Sequence, residues 1–226
     1  MKEKRNLLMG IGLIGSFALW TVLVLCVDVQ AVGQNGTRIG FAAFNVWFHH
    51  LSGVHMLLYT ITDWLGLVPI FICVCFGALG FLQLIKRRSL LRVDPDILLL
   101  GGYYVLVIVC YLIFEMIPIN YRPVLIEGRL EASYPSSTTL LVLSVMPTLT
   151  FQAYRRTTDT LIRKSAAVTV IAFSAFMVIG RLISGVHWVT DIAASVLLSA
   201  GLFMMYRSAV LYTDKAKKAD RREYGV

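Results

Sequence analysis

Charge is scarce in this chain. Only 15% of its 226 residues are Asp, Glu, Lys or Arg, and only 13 are acidic. That shortage, set against 58% hydrophobic residues and a mean hydropathy of +0.74, excludes an ordinary soluble domain. With so few carboxylates, none of them clustered, no site for Mg²⁺ or another metal is indicated. Cysteine is scarce too. Cys26, Cys73, Cys75 and Cys110 all fall inside apolar runs. Cys73 and Cys75 lack a metal-ligand spacing, so the four read as small apolar residues rather than disulfides or ligands. There are six prolines and no Pro/Gly/Ser-rich linker, which argues against a second domain. No internal repeat, low-complexity segment or soluble domain is visible.

What the chain does have is apolar runs near the ~20 residues that carry a helix across a bilayer. They predict an all-α polytopic membrane bundle in one domain, 1–226, with about six transmembrane helices near 7–27, 60–85, 97–117, 136–154, 165–183 and 191–212. A polar tail follows at 213–226. The basic start at Lys2, Lys4 and Arg5 resembles a signal peptide, but no small-residue cleavage site precedes Asp28, so the first run reads as a retained helix. Between the first two spans, Ile39 to Leu51 carries Phe41, Phe44, Trp47 and Phe48 and reads as a short helix lying in the membrane interface. Pro95 suits the start of the third span, and Pro118 ends it or kinks it.

The net charge of +8 fits a membrane topology better than nucleic-acid binding. With the N-terminus inside, the outer segments hold only Arg38, Arg122, Arg129 and Arg181 of the 21 Lys and Arg. That asymmetry predicts cytoplasmic termini. It also puts the 118–137 loop and the loop following residue 183 on one outer face, where two polar clusters distant in sequence can meet.

Those clusters hold the polarity that a membrane protein must justify, because polar groups are costly in lipid. One is Gly180-Arg181-Leu182-Ile183-Ser184-Gly185-Val186-His187-Trp188-Val189-Thr190-Asp191. The others are Asn120-Tyr121-Arg122-Pro123 and Ser133-Tyr134-Pro135-Ser136-Ser137-Thr138-Thr139. Arg122 and Arg181 supply planar guanidinium forks suited to phosphate oxygens. Ser136, Ser137 and Thr138 follow a proline at a helix start, where free N–H groups and the helix dipole favour an anion. His187 and Asp191 are four residues apart. On a helix the carboxylate would orient one ring nitrogen and leave the other free to attack. These are the parts of phosphoryl transfer without a metal or other cofactor.

Arg181, five residues, His187, three residues, Asp191 resembles the third signature of the type 2 phosphatidic acid phosphatase (PAP2) superfamily, Ser-Arg-x5-His-x3-Asp. Arg122-Pro123 resembles the end of the first signature, Lys-x6-Arg-Pro, and Pro135-Ser136-Ser137-Thr138 resembles the second, Pro-Ser-Gly-His. The resemblance covers Ile97 to Tyr212. It implies that His187 forms a phosphohistidine supported by Asp191, and that Arg122, Arg181, Ser136 and Ser137 bind phosphate. The implied substrate is a lipid phosphate or diphosphate in the plasma membrane of a bacterium, with no protein partner implied.

Three departures stand out. The first-signature Lys falls at Glu115, or at Met116 in a register slipped by one. Gly180 replaces the Ser before Arg181. Thr138 stands where the family has the His that protonates the leaving group, and a hydroxyl is no acid near neutral pH. General acid catalysis contributes roughly 10²–10⁴-fold, most for a poor leaving group. The expectation is therefore a preference for diphosphates over monophosphates, or a site that binds phosphate and turns over poorly. His49, His50 and His55, in the outer segment between the first two spans, are candidates for the missing acid. Asp63, near the outer end of the second span, has no assigned role.

Overall fold

The computed structural model describes residues 2–223, with side chains as far as Asp220. Eight α-helices follow one another among them: α1 (Lys2–Cys26), α2 (Ala42–Ser52), α3 (Met56–Leu65), α4 (Leu67–Arg87), α5 (Pro95–Met116), α6 (Ser137–Arg156), α7 (Thr160–Ile183) and α8 (Val189–Glu223). No strand occurs among the described residues; three isolated β-bridges sit in loops.

Local chemistry explains several boundaries. Pro95 opens α5 at its first turn, where its missing N–H costs nothing. Asp159 caps α7 by accepting from the Leu161 and Ile162 amides. Gly66 separates α3 from α4, and its amide turns back onto the Thr62 and Asp63 carbonyls.

Five segments are long and apolar enough to cross a membrane: α1, α3 with α4 taken together, α5, α7 and α8 as far as Asp220. The protein is accordingly an integral membrane protein. At 20 residues, α6 spans about 30 Å. Its Ser, Thr and Gln residues keep its composition below the apolarity of the other five. Because α6 lies inside the bundle, some of them pair across helices through a side chain or the backbone, while the Ser144 and Thr150 hydroxyls have no hydrogen-bond partner among the described residues. Tyr104 Oη meets Thr148 Oγ1 at 2.7 Å, the Tyr103 hydroxyl donates to the Ser144 carbonyl at 3.0 Å, and Gln152 Nε2 donates to Tyr206 Oη at 2.9 Å. A buried polar group costs little once paired in this way.

The other central helix, α8, packs along α1 at close range. A Cβ placed on Gly10 would come within 2.7 Å of Met205 Cγ, and one on Gly201 within 2.8 Å of Ile14 Cδ1. Small residues let helix backbones approach where lipid supplies no hydrophobic drive between them.

The bundle has two unlike ends. At one, basic side chains sit among carboxylates: Arg155 on Asp214 (2.6 Å), Arg156 on Asp96 (2.9 Å), Arg87 on Asp94 (2.7 Å) and Lys215 on Glu3 (2.8 Å). At the other lie α2, the 117–136 loop, the start of α6 and the α7–α8 turn. There α2 presents Phe44, Trp47 and Leu51 outward and buries Asn45.

Candidate active site

The α7–α8 turn is held from three sides. Gly185 has φ +71°, and a Cβ there would lie 2.1 Å from the Gly53 carbonyl oxygen, so only glycine fits this contact. The His55 amide donates to the Ser184 carbonyl at 3.0 Å. Asn45 Nδ2 donates to Thr190 Oγ1 at 3.0 Å, and Trp188 Nε1 to the Tyr121 carbonyl at 2.8 Å. Gly180, in place of the Ser expected beside Arg181, faces the fully buried Thr62. A Cβ would meet Thr62 Cγ2 at 2.7 Å, so the departure follows from the α3–α7 packing.

The 117–136 loop folds back on itself. The Arg122 amide donates to the Glu131 carbonyl at 3.0 Å, and the Ser133 amide to the Asn120 carbonyl at 2.9 Å. This narrow turn delivers Asn120, Arg122 and Ser133 to the α7–α8 turn. Asp191, completely buried, accepts from Ser133 Oγ at 2.7 Å, from Asn120 Nδ2 at 3.2 Å and from the Trp188 amide at 3.0 Å. His187 Nδ1 lies 3.9 Å from Asp191 Oδ2, within ion-pair reach but beyond a hydrogen bond. Neither ring nitrogen of His187 has a partner at full hydrogen-bond geometry among the described residues, although the Ser133 backbone lies near enough to work against the lowering of its pKa. Burial, then the charges of Arg122 and Arg181, hold the imidazole well below its usual pKa, so it is neutral and keeps a lone pair.

The two arginines share one aromatic floor. Arg181 Cζ lies 4.9 Å from the centre of the Tyr59 ring and Arg122 Cζ 5.7 Å. Both guanidiniums are buried, and each has a single acidic neighbour: Glu131 Oε2 at 3.1 Å from Arg122 Nε, and Asp63 Oδ1 at 3.5 Å from Arg181 Nη1. The Arg122–Glu131 approach lacks hydrogen-bond geometry. Arg122 Nε and Nη1 and Arg181 Nε remain without a hydrogen-bond partner among the described residues, Arg122 Nε being met only by the Glu131 ion pair. Two buried cations with unused donors, beside a neutral histidine that both of them influence, have the chemistry to hold an oxyanion.

The start of α6 closes another side. The Ser136 amide donates to the Asp191 carbonyl at 3.3 Å, its carbonyl accepts from Ser195 Oγ at 2.9 Å, and its hydroxyl reaches Thr139 Oγ1 at 3.0 Å. Ser136 is thus spent on joining α6 to α8. The Ser137 and Thr138 amides, in the first turn of α6, are the ones left for an anion. Ser137 and Thr138 also line a cavity of about 480 Å³ together with Asp63 and with apolar residues including Leu67, Ile70 and Val107.

Glu115 is exposed at the end of α5 and borders a small cleft with Ser133 and Ser137, while Glu131 takes the place beside Arg122. His49 packs its ring 5.6 Å from that of Trp188, and burial, then His50, lower its pKa. His55 is turned toward the Ser52 carbonyl at 2.8 Å, and His50 is exposed.

Sequence reasoning passed over Tyr59 and Asp63 as site residues. The available signal was their four-residue spacing at the start of a span, which puts a ring and a carboxylate on one helix face. Asn120 and Ser133 stood in flagged stretches without a role; they prove to be the side-chain partners of Asp191.

The PAP2 superfamily model matches residues 102–214, half of the chain, and the chain belongs to that superfamily. The fold is similar to the crystal structure of a transmembrane PAP2-type phosphatidylglycerolphosphate phosphatase from Bacillus subtilis. The TM-score is 0.64 at 15% identity, over 90% of this chain and 96% of that one. No curated protein matches the chain.

Proposed function

We propose that this protein is a membrane lipid phosphatase working through a phosphohistidine, without a metal. The observation that carries the reading is the set of buried, unpartnered donors on Arg122 and Arg181 around a neutral His187. Arg122, Arg181 and the first turn of α6 at Ser137 hold the phosphoryl oxygens. Nδ1 faces Asp191, so Nε2 is the attacking atom. Asp191 stabilises the positive charge that the ring acquires. Its other partners, Asn120, Ser133 and the Trp188 amide, keep it in place.

The substrate is a lipid phosphate or diphosphate, a class that includes the phosphatidylglycerolphosphate acted on by the structural neighbour. Thr138 at the mouth of the cavity favours a leaving group that departs as phosphate and needs no proton. The end of the bundle rich in Lys and Arg lies on the cytoplasmic side with both termini, which puts the site at the outer face of the plasma membrane.

Phosphate release in detergent from a panel of lipid mono- and diphosphates tests the reading. Wild type should release phosphate, faster from a prenyl diphosphate than from phosphatidic acid, and His187→Ala should release none. A silent wild type that gains activity as Thr138→His would instead mark a phosphate binder that has lost turnover. A second test is the pH profile. Because His187 titrates below the usual 6.5, kcat/KM should hold as pH falls through that value and decline only lower. A decline centred at or above 6.5 and traced to His187 would remove the neutral nucleophile from the mechanism.

A further inference from the structure

The proposed reaction has two halves, and the residues around His187 account only for the first. Once the leaving group has gone, water must attack phosphorus in line with the Nε2–P bond, from the side the leaving group has vacated. The cavity of about 480 Å³, lined by Asp63, Ser137 and Thr138 together with apolar side chains, is where a leaving lipid would lie. It joins an apolar body able to take a lipid to the proposed phosphoryl-binding turn at Ser137 and Thr138. Attack by water needs a proton acceptor there. The Thr138 hydroxyl has no such capacity near neutral pH. Among the described residues lining the cavity, Asp63 is the one carboxylate.

Asp63 is built for access as well as position. It lies one helical turn after Tyr59, the floor beneath both arginines. Arg181 Nη1 holds its Oδ1 at 3.5 Å, a long contact for a charged pair, while Oδ2 has no partner among the described residues. Its side chain is 54% exposed, whereas Arg181 beside it is buried. A carboxylate placed only to neutralise Arg181 would be expected nearer and drier.

Resting on the phosphohistidine reading, we propose that Asp63 is the general base of the second step. It takes a proton from the attacking water as the O–P bond forms and the N–P bond breaks. The bonding pair returns to His187 Nε2 and inorganic phosphate leaves. Asp63 then gives up its proton to solvent. Asp63 has no part in forming the phosphohistidine, and this division gives the test.

The probe is farnesyl diphosphate radiolabelled in its terminal phosphoryl group, mixed rapidly with purified full-length protein. Asp63→Asn should retain a burst of about one farnesyl phosphate per protein. Its steady turnover should fall by roughly 10²–10⁴-fold, and acid-labile label should accumulate on His187. A burst lost together with turnover would mean that Asp63 only positions Arg181, and unchanged turnover would mean that it does nothing; either result overturns the proposal. Asp63→Ala, pulsed with the same substrate, supplies an independent reading: added formate should speed loss of the label, and no acceleration overturns the base role. A wild type that never carries label, with His187→Ala still active, overturns the phosphohistidine reading itself and is told apart on that ground.

Discussion

The arginines at the two ends of the bundle live in opposite circumstances. Arg87, Arg155 and Arg156 are partly exposed and meet carboxylates at 2.6–2.9 Å. Arg122 and Arg181 are buried, their acidic neighbours stand at 3.1 and 3.5 Å, and three of their N–H groups have no hydrogen-bond partner among the described residues. Burying a cation and leaving it short of partners opposes folding. A chain that meets this condition twice at one end, while pairing its cations closely at the other, sets guanidiniums that fasten helices apart from guanidiniums that, on the proposed function, are held for a ligand. Tyr59 makes the second kind tolerable. It offers a π face to both, and a face contact leaves the N–H edges free.

The contrast breaks most visibly at Arg181. Arg181→Gln keeps a polar side chain but removes the charge from the phosphoryl site. Loss of one such donor costs roughly 10²–10³-fold in kcat. A second sign accompanies the first. Arg181 is one of the charges that push His187 down, behind burial and Arg122, so removing it lets the imidazole titrate higher. The acid limb of kcat/KM should therefore move to higher pH in the variant. A loss of rate with an unmoved limb would mean that Arg181 acts through packing alone.

How much of this was legible beforehand depends on how local the information is. Arg181, His187 and Asp191 lie within eleven residues, and their spacing alone proposed a nucleophile with its support. The helices were legible from their apolar runs. The α6 segment was readable as a helix, but its Thr148 and Gln152 only make sense once Tyr104 and Tyr206 are seen to be their partners. The roles of Asn120 and Ser133 depend on the backbone pairing of Arg122 with Glu131, a loop register that no periodicity encodes. Tyr59 and Asp63 stand over a hundred residues from Arg181. Their place beneath it follows from how α3 packs on α7 through Thr62 and Gly180, which is tertiary information.

Tyr59 tests whether the floor matters as a ring or as bulk. Tyr59→Leu retains an apolar side chain and loses both cation–π contacts. At about 1–2 kcal/mol in total, it should cost roughly 5- to 30-fold in kcat/KM. Tyr59→Phe keeps the face and should lie close to wild type. The loss should fall mainly on KM, since phosphate binding depends on both arginines being aimed. Equal damage by Phe and Leu would assign the effect to the hydroxyl and remove the aromatic floor from the account.

The smallest effect belongs to the opposite end, and its smallness is informative. Arg155 binds Asp214 through two nitrogens, at 2.6 and 3.1 Å, and lies 3.6 Å from Asp96, joining the ends of α5, α6 and α8. Pairs of this exposure contribute about 1 kcal/mol at most, because water and salt compete for both partners. Arg155→Ala should lower the thermal midpoint in detergent slightly and leave kcat and KM unchanged. The shift should shrink as salt is raised and the wild-type pair is screened. If activity instead fell in step with the Arg181 variant, the two ends would be coupled through α6 and α8, and the division between fastening and functional arginines would have to be withdrawn.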